Sequence, residues 1–239
     1  NGIGIGHGSQ GGFAEFLAVK QNSALTIPDF VSSDIAPLLT CPIGVGIQAL
    51  TDITDIPSGS SVAITGASGG LGIHVAQVAK AMGCSTFGIT SSEGKISSLM
   101  ELGLDEVILA TDDLNFSEII QAMTADMGVD VVIDHVGSDI WDVTNKSLSK
   151  GCRYGICGVT SGYRAELQMG YLFTKQVTIF GVFMGRRRDL EQVLEHVKRG
   201  TINGVIHAEY PMSEARKAHE DMERLNYFGK LILVPDRFV

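Results

Sequence analysis

No stretch of this chain is apolar over the roughly twenty residues that a bilayer-spanning helix needs, and no leader pattern precedes the first polar residues, so no membrane partner is expected. Cationic side chains are scarce. Lys and Arg number 18 against 27 Asp and Glu, giving a net charge of −9, which argues against a nucleic-acid partner. The one basic run, Arg186-Arg187-Arg188, is short and isolated and reads as a solvated helix start. Cysteine is also sparse. Cys41, Cys84, Cys152 and Cys157 contain no C-x-x-C pair, which predicts a reduced, cytoplasmic protein without a disulfide framework. Charged residues make up only 19% of the chain against 44% hydrophobic, which excludes disorder and predicts a real core. The chain opens at Asn1 without a start methionine, on the glycine-rich run Asn1–Gly8, and reads as the interior of a longer protein.

One stretch organises what is present. The apolar run Val62-Ala63-Ile64 stops at Thr65-Gly66-Ala67-Ser68-Gly69-Gly70-Leu71-Gly72, and a helical pattern with Val75, Val78, Ala79 and Met82 on one face follows at once. Strand, glycine turn and helix start make the first half of a dinucleotide-binding βαβ unit. Glycine permits the sharp backbone angles and leaves no side chain between backbone and ligand. The first N–H groups of the helix then face a pyrophosphate, at the positive end of the helix dipole. Turns of this kind also occur for helix–sheet packing alone.

Before this stretch, Phe13 to Val19 reads as a strand after the turn Gly11-Gly12. Ser32-Ser33-Asp34 offers helix caps for Ile35 to Leu39, Cys41-Pro42 interrupts, and a second helical piece carries Ile43 to Leu50. After it, strands and helices alternate: Thr86 to Ile89, a helix to Gly103, Glu106 to Leu109, and a stripe of Phe116, Ile119, Ile120, Met123 and Met127. The methionines of that stripe read as core filler. Val129 to Asp134 follows, then a helix from Trp141 to Leu148, then strands Tyr154 to Val159 and Val177 to Phe183. The pattern predicts an α/β fold with a doubly wound parallel sheet. The tail carries a helix ending at Gly200, a strand Val205 to Tyr210, a helix capped by Ser213 and a closing strand Gly229 to Val234. It is expected to pack with the first forty or so residues and not to extend the sheet.

Two families match the glycine turn. Thr65 to Gly72 fits the T-G-x-x-x-G-x-G of short-chain dehydrogenases, and Tyr171–Lys175 fits their Y-x-x-x-K. Yet the turn lies too far from the start, the glycine-to-tyrosine distance is too short, and Gly158 stands where a serine is required. The other family matches an ordered set: Gly11-Gly12-Phe13-Ala14-Glu15-Phe16, Ile27-Pro28, Leu38-Leu39-Thr40-Cys41, Ala67 to Gly72, Gly128 to Asp134, Gly155 to Gly162, and Phe228-Gly229-Lys230. In this the chain resembles the medium-chain dehydrogenase/reductase superfamily, particularly zinc-type alcohol dehydrogenases and their quinone-oxidoreductase relatives. The resemblance implies a Rossmann domain at 44–184, a remnant of a GroES-like catalytic domain at 1–43, and a C-terminal segment, 185–239, returning to that domain. About the first hundred residues of family members are missing from the chain, and with them two catalytic zinc ligands.

The resemblance also assigns roles. Gly70 and Leu71 would offer backbone N–H groups to the pyrophosphate, with Gly69 and Gly72 providing close approach. Cofactor choice falls at the end of the second strand, where Thr90 stands in place of the Asp of NAD-dependent relatives. Ser91, Ser92 and Lys95 could take a 2′-phosphate, so NADP(H) is favoured over NAD(H). Val159 and Thr160 would face the nicotinamide, and Lys230 would lie near the pyrophosphate or at a strand edge. His135 reads as structural. Cys41 falls at the third zinc ligand, so zinc is possible in a full-length parent and is not expected in this chain. No residue is assigned to catalysis.

The implied activity is hydride transfer between NADP(H) and a small alcohol or carbonyl. One alternative is a zinc-free NADPH-dependent quinone or enoyl-thioester reductase. Another is a non-catalytic nucleotide-binding module or sensor. The edge strand 177–183 is apolar and uncharged, and predicts a homodimer or homotetramer.

Overall fold

The computed structural model describes residues 11–110 and 116–238. The run Asn1–Gly8, including His7, lies outside the described residues. Six strands form one sheet: β1 Ser61–Ile64, β2 Ser85–Thr90, β3 Glu106–Leu109, β4 Val129–Asp134, β5 Leu148–Ile156 and β6 Thr178–Gly181. Their order is β3-β2-β1-β4-β5-β6 and every pairing is parallel. Parallel neighbours need crossovers, and helices covering both faces bury the central strands. The alternation of side chains shows it. Val62, Ile64, Val131 and Ile133 enter one core with Ile73, Val75, Ala76 and Val78, whereas Ala63, Val132 and Tyr154 enter the other with Phe116, Ile120 and Trp141. The strand order reverses between β1 and β4, which opens a crevice at the carboxyl ends of those strands.

The helices on these faces are α2 Gly72–Ala81, α3 Ile96–Glu101, α4 Phe116–Met123, α5 Trp141–Asn145 and α6 Met169–Lys175. A helical stretch precedes β1: a tight turn at Ala36–Leu38, a wide π-turn at Leu39–Ile43, α1 Gly44–Ile47, and a second π-turn at Gln48–Ile53. The tail adds α7 Asp189–Arg199, β7 Ile206–Pro211, α8 Ala215–Glu223 and β8 Lys230–Val234. β7 and β8 pair in parallel as a separate two-stranded sheet. α7 packs on α1 and on the π-turn before it, burying Val193. None of the described helices is long and apolar enough to cross a membrane.

Several local expectations are corrected. Residues 13–19 form no strand: no described segment hydrogen-bonds beside them, and Phe13 and Phe16 are exposed. Pro42 does not break the helical run. It sits in the π-turn, whose wider backbone accommodates a residue without an N–H. α4 ends at Met123, and Ala125 and Asp126 turn left-handed, so Met123 and Met127 are exposed and do not fill the core. β5 begins at Leu148, where a helix was expected, and ends at Ile156. It absorbs a register shift against Val129 and Val131. β6 is shorter than 177–183, because only Thr178–Gly181 pairs with β5. Ser213 does not cap α8: its hydroxyl donates to Asp236 at 2.7 Å. Arg186 is not merely solvated, since it grips the buried Asp189 through Nε and Nη2, both at 2.9 Å, at the start of α7.

Candidate cofactor site at the strand ends

The glycine turn sits at the carboxyl end of β1. Gly66 has a positive φ of 56°, and its carbonyl accepts from the Gly69 N–H at 2.9 Å. A Cβ on Gly66 would stand 2.7 Å from His135 Nε2, so the position requires glycine twice over. Gly72 holds α2 against the turn: a Cβ there would meet the Gly66 carbonyl oxygen at 2.6 Å and Ala67 Cα at 2.7 Å. α2 has no side-chain cap, and the N–H groups of Leu71 and Gly72 find no acceptor among the described residues. Two donors therefore point out of a ten-residue helix with the positive end of its dipole behind them.

The C-terminal segment lies across this turn. Gly69 bridges Gly229, and the methylenes of Lys230 pass so close to Gly70 that a Cβ on Gly70 would collide with Lys230 Cδ. Gly70 thus makes room for Lys230, and the lysine brings a cation to the helix N-terminus. Gly69, Gly70, Leu71, Gly72 and Lys230 come together in one place.

At the end of β2, Thr90 is buried. Its hydroxyl lies 3.1 Å from that of Ser68 and accepts from the Ser92 N–H at 3.2 Å. This ties the glycine turn to the loop of Ser91 and Ser92, of which Ser91 is exposed and Ser92 half-buried. Lys95 is half-buried and folds toward the tail. Its ammonium donates to the Leu225 carbonyl at 2.8 Å and lies 5.6 Å from the centre of the Tyr227 ring. Burial lowers its pKa.

At the end of β4, Asp134 is buried and fully engaged. Thr65 Oγ1 donates to it at 2.7 Å, the Val136 N–H at 2.8 Å and the Tyr154 hydroxyl at 2.9 Å. His135 lays its ring on the glycine turn, with Nε2 at 3.2 Å from the Gly66 carbonyl and Nδ1 buried without a described partner. Burial lowers its pKa, against the pull of Asp134 and the Gly66 bond. The ring packs and hydrogen-bonds within the fold, as a structural histidine does. Val159 and Thr160 follow β5, and Thr160 donates its N–H to the His135 carbonyl at 3.3 Å. Val159 lines a cavity of about 420 Å³ with Asp134, Gly137, Trp141, Ile156 and Ile179. The glycine turn, the β2 loop and the β5 loop together edge the crevice.

Cys41 is half-buried on the π-turn. Among the described residues no three of His, Cys, Asp and Glu are gathered as a metal site would require. Cys157, just after β5, has its thiol pushed up to about 12 by burial, then by Asp134 and by Cys41. Tyr171 and Lys175 do not form a catalytic pair. Tyr171 donates to the Asn145 carbonyl at 2.5 Å and Lys175 to that of Leu148 at 2.9 Å, so both anchor α6.

Sequence reasoning did not pick out His74 on α2, which is buried, donates from Nδ1 to the Gly70 carbonyl at 2.7 Å and accepts the Val205 N–H at Nε2 at 3.1 Å. Burial, against the Gly70 bond and with the charge of Lys230, lowers its pKa to about 4. A histidine two residues past the last glycine of the turn was the only available signal.

Comparison with known proteins agrees with this geometry. A family profile described as zinc-binding dehydrogenase matches residues 70–199. The acryloyl-coenzyme A reductase of Metallosphaera sedula is 34% identical over 234 residues, covering 97% of this chain and 67% of the relative. The quinone oxidoreductase of Rattus norvegicus is 29% identical, covering 94% of this chain and 69% of the relative. The crystal structure of the alcohol dehydrogenase of Aeropyrum pernix superposes with a TM-score of 0.87 at 25% identity, covering 97% of this chain and 67% of that one. The chain thus spans about two thirds of the length of these proteins. The six parallel strands, the glycine turn and these likenesses establish that the chain belongs to the zinc-binding dehydrogenase family, within the medium-chain dehydrogenase/reductase superfamily of NAD(P)-dependent oxidoreductases.

Proposed function

We propose that this chain binds NADP(H) and serves hydride transfer to an activated C=C bond, with an acyl thioester as the favoured substrate class. The observation that carries the cofactor reading is the convergence of two open N–H donors, at Leu71 and Gly72, with the Lys230 side chain over Gly70. Support for the substrate class comes from the acryloyl-coenzyme A reductase of Metallosphaera sedula. When bound, the nicotinamide supplies the hydride. The α2 N-terminus and Lys230 hold the pyrophosphate, Thr90 orders the loop that meets the adenosine end, and Val159 and Thr160 set the floor beneath the nicotinamide. Reduction of a small carbonyl, with zinc in a longer parent, is a second reading. It is supported by the likeness to the alcohol dehydrogenase of Aeropyrum pernix.

Lys95 decides between the cofactors. Its ammonium has three donors, and one backbone carbonyl occupies only one of them. No carboxylate stands at Thr90 to repel a 2′-phosphate. NADPH is expected to bind more tightly than NADH in a fluorescence titration. Lys95→Ala is expected to weaken NADPH about tenfold, the scale of one charge-assisted hydrogen bond, with NADH unchanged. Equal binding of both cofactors by the wild type sinks the NADP reading. Turnover of NADPH with acryloyl-coenzyme A, a quinone or an aldehyde then distinguishes the substrate classes.

A second copy of the chain is proposed to pair along β6, the sheet edge, giving a homodimer or a tetramer built from it. Thr178 is exposed there. Thr178→Lys places a charge on the edge and is expected to shift the sedimentation profile toward monomer. A profile identical to that of the wild type removes this interface.

A further inference from the structure

We infer that His74 is a positioning residue: it locks the pyrophosphate turn to the C-terminal segment and thereby sets the place of Lys230 over the cofactor phosphates. The inference rests on the nucleotide-binding reading above and adds to it the device that holds the site's cation in position.

The argument is a closed circuit of contacts. The carbonyl of Gly70 accepts from His74 Nδ1 at 2.7 Å. His74 Nε2 accepts the N–H of Val205 at 3.1 Å. The carbonyl of Val205 accepts the N–H of Lys230 at 2.9 Å. The side chain of Lys230 then returns over Gly70, where the circuit began. Gly229, at φ 95°, makes the turn that lets this happen, and a Cβ on it would strike Val205. A displacement of any member moves the lysine relative to the turn.

The chemistry of the ring fixes its state. A carbonyl only accepts, so Nδ1 must carry a proton. A backbone N–H only donates, so Nε2 must be bare. One neutral tautomer satisfies both partners; a protonated ring would face the Val205 N–H with a second donor, and no other side chain of this size offers a donor and an acceptor at opposite edges of a rigid plane. One helical turn on, Gln77 repeats the pattern: Nε2 donates to the Asn203 carbonyl at 2.9 Å and Oε1 accepts the Asn203 N–H at 2.7 Å. The face of α2 that carries His74 and Gln77 is therefore fastened to residues 203–205 by three hydrogen bonds. Gln77 suffices for docking the helix. His74 differs in reaching back to the carbonyl of Gly70, whose neighbour Leu71 presents an open N–H.

The test is NADPH affinity, by fluorescence titration, in the wild type, His74→Leu, His74→Asn, Lys230→Ala and the double variant His74→Leu/Lys230→Ala, each after its fold is verified by circular dichroism. His74→Leu is expected to weaken NADPH about tenfold and to flatten the salt dependence of binding as Lys230→Ala does. His74→Asn, which keeps a donor in reach of the Gly70 carbonyl, is expected to recover part of the affinity. The double variant is expected to lose no more than Lys230→Ala alone, because both changes break one device. A merely structural histidine would give additive losses and an unchanged salt dependence, and either result overturns the inference. If His74→Leu does not fold, His74→Asn carries the same comparison with Lys230→Ala. A wild type that binds neither NADPH nor NADH defeats the nucleotide reading and this inference together. A wild type that binds NADPH while both His74 variants match it defeats the inference alone.

Discussion

Gly72→Ala is expected to weaken NADPH at least tenfold and to lower stability by about 2 kcal/mol. The new Cβ would stand 2.6 Å from the Gly66 carbonyl oxygen and 2.7 Å from Ala67 Cα. Both atoms belong to the backbone, so no rotamer change relieves the contact, and overpacking of this kind typically costs 1–3 kcal/mol, about the middle of which applies here. α2 must lift from the turn, and the Leu71 and Gly72 N–H groups lift with it. A charged phosphate hydrogen bond contributes about 1.5–3 kcal/mol, which sets the scale of one to two decades in affinity. Gly94→Ala is the control. Nothing lies within 4 Å of a Cβ there, and it should change neither quantity by more than about 0.5 kcal/mol. Fluorescence titration and urea unfolding of the two variants make the comparison. If Gly72→Ala binds like the wild type, the helix start does not carry the phosphate.

Much of this site was readable in the sequence, for reasons that concern particular residues. Val129–Asp134 and Glu106–Leu109 appear as strands with the expected bounds, because β4 is an apolar run and both strands follow a glycine whose left-handed backbone ends the preceding element, Gly128 and Gly103. The turn from Thr65 to Gly72 was legible because close approach leaves glycine no substitute. What stayed hidden depends on partners distant in sequence. Phe13 to Val19 has the composition of a strand, but a strand is defined by its neighbour, and no described segment pairs with it. The start of β5 at Leu148 falls where the sequence predicts the end of a helix, yet the strand begins there and takes a register shift against β4. Lys95 reads as a candidate for a 2′-phosphate, but the sequence does not show that Leu225, far along the chain, supplies it a carbonyl. His74 reads as one more buried ring on a helix, because the sequence does not show that Val205 stands at its far edge.

Asp134→Ala is expected to cost about 3–5 kcal/mol, because several buried donors lose their acceptor together at about 1–3 kcal/mol each. The carboxylate is 1% exposed and accepts from the hydroxyls of Thr65 and Tyr154 and from the N–H groups of Val136 and Gly137. Removing it strands donors from β1, β5 and the loop after β4 in a place water does not reach. Tyr154 cannot respond by ionising: burial, the larger cause of its raised pKa, persists without the carboxylate, so its hydroxyl remains a donor in search of an acceptor. Tyr154→Phe, which removes one donor and leaves the others paired, should cost only about 1–1.5 kcal/mol. Thermal unfolding should therefore fall by roughly ten degrees for Asp134→Ala and by a few degrees for Tyr154→Phe. The functional effect follows from position. Asp134, Gly137 and Val159 line the same cavity at the strand ends, and Thr65 opens the glycine turn, so a loosened β4 loop disturbs both halves of the cofactor crevice at once. An Asp134→Ala variant within 1 kcal/mol of the wild type in urea unfolding would mean that water replaces the carboxylate, and that the crevice is held by its glycines and not by this network.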